Sequence, residues 1–189
     1  LEGSAVKESL GVLDEKIRKA KSPWIVLLHA SAEKFSEVNE ATLSLLAKHG
    51  YRSIYVSLNK PSDSIILDLR GKGFDVSKLF FVDCVPIKAD ARRGDTVFLK
   101  DAKNLADISL AVDSLSSRIE SGKKFLIIDS VPALLLHHSP EAVAKYMQFL
   151  VSKMRAEGLS GAMLSVEKET HPELLEAVKK LCDELVMIT

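Results

Sequence analysis

The sequence predicts an α/β fold built on a mostly parallel sheet with helices on both faces. Three observations carry that prediction. Short apolar runs alternate with segments of helical periodicity along nearly the whole chain. The runs are continuous rather than alternating polar and apolar, as strands buried on both faces require. The run Phe125-Leu126-Ile127-Ile128, bounded by Gly122 and Pro132, ends in a carboxylate, Asp129. Open α/β sheets place their ligand crevice at the carboxyl ends of strands, so Asp129 is the first candidate functional residue.

The elements follow in order. Val6, Leu10, Leu13 and Ile17 recur at helical spacing and mark an amphipathic helix ending near Lys21. It covers an edge or face of the sheet, or serves as a dimerisation or partner helix. Residues 1–22 therefore stand apart from the α/β domain of 23–189. The opening Leu1-Glu2-Gly3-Ser4 has no Met and reads as a tag remnant or the cut end of a longer protein. Trp24 to Leu28 is a buried strand. Ser36 is positioned to cap a helix through Val38, Leu45 and Leu46 that stops at Gly50. Ser53 to Leu58 is the second strand, and Pro61 suits the first turn of a helix carrying Ile65, Ile66 and Leu69. Leu79 to Val85 is the third strand.

Pro86 to Lys103 is irregular and holds Arg92-Arg93 and a short apolar piece, Val97-Phe98-Leu99. Leu105, Ile108, Val112, Leu115 and Ile119 define a helix leading to the strand that ends at Asp129. Ser139-Pro140-Glu141 supplies a cap, a proline and an acid for a helix to about Glu157. Ala162 to Val166 is a strand, Thr170-His171-Pro172-Glu173 opens a helix, and Leu185 to Ile188 closes the sheet.

Composition narrows the functions. With 189 residues, 47% hydrophobic and 28% charged, the chain suits one soluble domain with a substantial core. A formal net charge of zero supplies no field to recruit nucleic acid or anionic lipid. No apolar run approaches the roughly 18 residues of a membrane span. No signal-peptide pattern is visible, and Cys84 and Cys182 stand in no CxxC spacing. Reduced, mostly buried thiols in the cytoplasm are the expectation.

The order of pieces resembles a known family. Ser53 to Val82 contains Ile54-Tyr55-Val56-Ser57-Leu58, then Pro61, Ile65 and Ile66, then Gly73-Phe74-Asp75 and a strand from Leu79. This is similar to the middle of RecA-superfamily ATPases of the KaiC type. Ile128-Asp129-Ser130 with the apolar stretch after it resembles their Walker B segment, and Asp183 to Thr189 resembles their closing strand. The resemblance implies a RecA-like domain and a nucleotide site at the strand ends, with Asp129 at its magnesium position.

The departures from that family are as informative. Its first strand runs into a glycine-rich loop ending in Gly-Lys-Ser/Thr, whose N–H groups wrap phosphate oxygens. Here His29-Ala30-Ser31-Ala32-Glu33-Lys34-Phe35-Ser36 holds no glycine, and Glu33 sets a carboxylate where phosphate belongs. The family's acidic residues after the second strand are replaced by Asn59-Lys60, neither of which is a carboxylate base. Ser31, Glu33, Lys34, Asn59, Lys60, Asp129, Ser130 and Glu167 are then vestigial positions of a nucleotide site, with no catalytic residue, metal or cofactor expected.

Other chemistry finds less support. His137 and His138 are adjacent, so they point apart and lack a second ligand cluster. Glu167 to His171 lines a crevice or forms a charged loop. Arg92-Arg93 grips an anion or a partner carboxylate, or is solvated. There is no G-x-G-x-x-G, no G-x-S-x-G around Ser57 or Ser130, and no basic stripe with aromatics. The loops after Ser130 and Val166 are short for DNA binding. The expected function is a regulatory or scaffolding module without ATP hydrolysis, acting through a protein partner or self-association. The alternative is a nucleotide sensor or enzyme using the crevice near Asp129, Ser31 and Glu167.

Overall fold

The computed structural model describes residues 2–19, 23–85, 94–120 and 122–188, with side chains from residue 11 onward. Arg92-Arg93 and the side chains of Val6 and Leu10 lie outside the described residues. The element order is α1 (Glu2–Lys19), β1 (Ile25–Ala30), α2 (Phe35–Lys48), β2 (Tyr51–Ser57), α3 (Ser62–Gly71), β3 (Leu79–Asp83), β4 (Thr96–Phe98), α4 (Leu105–Arg118), β5 (Lys123–Asp129), a 3₁₀ turn (Val131–Leu136), α5 (Pro140–Ala156), β6 (Ser160–Val166), α6 (Pro172–Leu181) and β7 (Glu184–Ile188).

The strands form one 7-stranded sheet in the order β4-β3-β2-β5-β6-β1-β7. Every described pairing is parallel. The continuous apolar runs are explained by two cores, one per face. Ile25 and Leu27, Ile54 and Val56, and Leu126 and Ile128 pack under α4, α5 and α6. Their alternates Val26 and Leu28, Tyr55, and Phe125 and Ile127 join Val38, Leu46, Ile66 and Leu69 of α2 and α3. Side chains that alternate faces along a strand must all be apolar when both faces are covered. Among the described residues no helix is long and apolar enough to cross a membrane.

α1 belongs to the second core. Leu13 and Ile17 are each 1% exposed and pack in the cluster of β1 and α2. Asp14 accepts from His49 Nε2 at 2.7 Å, and Lys16 pairs with Glu184 of β7 at 2.7 Å. The second half of the helix thus covers its own sheet, the first of the two roles its periodicity allows.

Several local expectations change. β4 is a strand at the sheet edge, where sequence shows only a short apolar piece in an irregular stretch. Three residues are too few to establish a period, and pairing with Phe81 to Asp83 defines it. The third strand ends at Asp83 rather than Val85, because Asp83 turns its carboxylate to the Ser62 N–H at 2.7 Å and the Val85 N–H at 3.0 Å. Lys34, not Ser36, occupies the cap position of α2, and no side chain caps it. Pro61 sits at the cap position of α3, one residue before its first turn. Ser139 caps α5 as expected, accepting from the Ala142 N–H at 3.2 Å, with Pro140 in the first turn.

Candidate functional site

The parallel register brings the ends of β2 and β5 together, pairing Ser57 with Asp129. Asp129 is 6% exposed and shares its face of the sheet with Phe125 and Ile127, toward α2. Its Oδ2 accepts from the Tyr55 hydroxyl of β2 and from Asn39 Nδ2 of α2 at 3.1 Å. Asn39 Nδ2 also donates to the Tyr55 oxygen. The second carboxylate oxygen, Oδ1, and the Asn39 Oδ1 are buried without a hydrogen-bond partner among the described residues. Burial raises the Asp129 pKa, opposed by hydrogen bonding from Tyr55, Asn59 and Asn39 and by the charge of Lys60. The Asn59 amide also donates to Ser130 Oγ at 3.1 Å. The peptide bond between Asp129 and Ser130 is cis.

A cavity of about 230 Å³ opens beside this cluster between α2 and α3. Phe35, Leu43, Ile65 and Leu69 supply apolar wall, and Asn39, Tyr55, Asn59 and Asp129 supply polar wall. Lys60, also in the lining, pairs with Asp68, and Lys72 holds Glu40.

The segment after β1 is a tight turn. β1 ends at Ala30, and Ser31 N–H donates to the Ile188 carbonyl at 3.0 Å. Lys34 N–H closes back on the Ser31 carbonyl at 3.1 Å, and Val38 N–H takes up the Lys34 carbonyl at 2.9 Å. Glu33 is held below the usual carboxylate range by its own backbone N–H and by the Ser31 hydroxyl. It is therefore a charged carboxylate at the start of α2, where helix N–H groups favour an anion. The start of α2 thus carries the chain's own negative charge.

The candidate residues thus fall into three groups. Asn59, Lys60, Asp129 and Ser130 meet at the β2–β5 edge. Ser31, Glu33 and Lys34 form the turn before α2. Glu167 follows β6, where its N–H donates to the Ala30 carbonyl at 2.8 Å and its charge acts on His29. His29 of β1 lies directly opposite Ser165 of β6, with Nδ1 to Oγ at 2.7 Å, and burial lowers its pKa. His29, Ser165, Asn39 and Tyr55 are the participants that sequence reasoning passed over. The available signal was polarity inside an apolar run: Tyr55 carries the hydroxyl in Ile54-Tyr55-Val56, and His29 the ring nitrogen after Leu27-Leu28.

Cysteine and metal chemistry gain nothing from the geometry. Burial pushes the Cys84 and Cys182 thiols up to about 12, far from thiolate formation at neutral pH. Among the described residues no group of three His, Cys, Asp or Glu side chains is placed to hold a metal ion. His138 Nε2 meets the Ala102 carbonyl at 2.9 Å.

The fold is that of RecA/KaiC-like domains. A KaiC-like protein, PH0186, from the hyperthermophilic archaeon Pyrococcus horikoshii OT3 superposes at a TM-score of 0.65 with 14% identity, over 88% of this chain and 71% of that one. An uncharacterized protein of Pyrococcus horikoshii, PH0321, solved in complex with an unknown peptide, gives 0.69 with 17% identity, over 93% and 81%. PH0250 of Pyrococcus horikoshii OT3 gives 0.65 with 13% identity, over 93% and 87%. Identities this low speak for architecture alone. No protein-family model matches the sequence, and no curated protein sequence does.

Proposed function

We propose that this chain is a non-catalytic RecA/KaiC-like domain, a regulatory or scaffolding module that does not hydrolyse ATP. The observation that carries the reading is the turn Ser31–Lys34. A phosphate cradle needs several converging N–H groups and a lysine reaching the terminal phosphates. In this turn the N–H groups of Ser31 and Lys34 are spent on the Ile188 and Ser31 carbonyls, and Glu33 is negatively charged at the helix start. Asn59 and Lys60, after β2, add no carboxylate to activate water, and their side chains are engaged with Ser130 and Asp68.

A protein partner or self-association then supplies the function. The peptide in the complex of PH0321, which shares this fold, supports a role of that kind. The direct test is phosphate release from Mg-ATP and Mg-GTP by the full chain and by Asp129→Asn. The reading expects no release above buffer from either protein. Turnover by the wild type that Asp129→Asn abolishes would establish an ATPase instead.

A further inference from the structure

The cavity between α2 and α3 is a half-open cleft with unmet acceptors. Glu40 is paired with Lys72 and Asp68 with Lys60. Among the described residues, that leaves Asp129 as the carboxylate of the lining without a cation in contact. The nearby donors are largely committed: Tyr55 O–H to Asp129 Oδ2, Asn39 Nδ2 to Asp129 Oδ2 and the Tyr55 oxygen, and one N–H of Asn59 to Ser130. Two acceptor oxygens, Asp129 Oδ1 and Asn39 Oδ1, are buried with no donor. A buried acceptor left unpaired is costly, and a buried carboxylate whose neighbouring cation, Lys60, is paired with Asp68 more so. The complement is a group that brings donors and positive charge together. An anion is disfavoured by the same carboxylate. The apolar side chains of Phe35, Leu43, Ile65 and Leu69 suit a short hydrocarbon stem, and about 230 Å³ admits one small group.

We propose that this cavity binds an alkylammonium or guanidinium group, with Asp129 as counter-charge, Asn39 Oδ1 as a second acceptor, and the apolar walls around the stem. The inference goes beyond the scaffold reading and does not depend on a protein partner. The chemistry has two sources, a free small amine or guanidine and the lysine or arginine side chain of a peptide.

The test is a ¹H–¹⁵N NMR titration of the full chain at neutral pH. The probes are n-butylammonium, ethylguanidinium, the neutral isostere n-pentanol, and blocked tripeptides centred on Lys or Arg. The expected result is saturable shifts around Asn39 and Ile65 with either cation, at least about tenfold tighter than with n-pentanol. Asp129→Asn should weaken the cations about tenfold and leave n-pentanol unchanged. Should that variant fail to fold, Asn39→Leu supplies the same comparison. Peptides that bind more tightly than the free cations identify a protein side chain as the source, and weaker ones a free ligand; either supports the site. Three results would overturn it: no saturable shift up to about 50 mM cation, equal affinity for n-pentanol, or cation binding unaltered in the folded variants.

Discussion

Tyr55 and Asp129 are coupled across the sheet, and each is explicable only through the other. A phenol in a fully buried strand position needs a partner, and a carboxylate buried at a strand end needs donors. Tyr55→Phe keeps the ring against Phe81 but leaves the carboxylate short of one donor. It should destabilise the fold by about 1–3 kcal/mol in urea denaturation. Asp129 titrates above its ordinary range because it is buried. Its contribution to stability is full below about pH 4 and is lost as pH rises through its raised folded value. Asp129→Asn removes that loss, so its stability relative to wild type should improve from pH 4 toward neutrality while staying within about 1–2 kcal/mol. A variant that instead loses stability relative to wild type as pH rises would show that Asp129 is better satisfied as an anion than its environment implies. His29 has the opposite sign. Burial lowers its pKa, so the stability it contributes above about pH 6.5 is lost as pH falls toward its depressed value. His29→Gln should flatten the stability profile as pH falls below about 6.5, read by thermal melts.

Among the elements, α1 and β6 make the sharpest predictions. Leu13 of α1 is 1% exposed and Val12 is 41% exposed, one residue apart. Leu13→Asp buries an unpaired charge against β1 and α2 and should cost more than about 3 kcal/mol or prevent folding. Val12→Asp should stay within about 0.5 kcal/mol. Equal effects would mean that the second half of α1 does not dock as described. In β6, a Cβ on Gly161 would meet the Leu126 carbonyl oxygen at 2.8 Å and run into Met154. Gly161→Ala should therefore cost about 1–3 kcal/mol by chemical denaturation. The buried strands were legible because two-sided burial leaves an apolar run. The helix from Pro140 was legible because Ser139-Pro140-Glu141 combines cap, proline and acid. β4 was not, since three edge residues lack a pattern of their own. Strand order was not legible either, because pairing is decided by contacts far apart in sequence. Asp129 stood out as a charge closing an apolar run. Asn39 did not, since a lone amide on a helix looks solvated until the opposing strand is known.

For the molecule as a whole, the RecA/KaiC-like architecture and the turn before α2 point in different directions. The sheet delivers Asp129 to a strand end where open α/β sheets place ligands, while the turn Ser31–Lys34 holds a charged carboxylate, Glu33. Fold alone does not decide between them. Isothermal titration of the full chain with Mg-ATP does so most directly. No saturable heat is expected. Binding tighter than about 100 μM, equivalent to about −5.5 kcal/mol, that weakens in Asp129→Asn would contradict that expectation and make the strand end at Asp129 a nucleotide site.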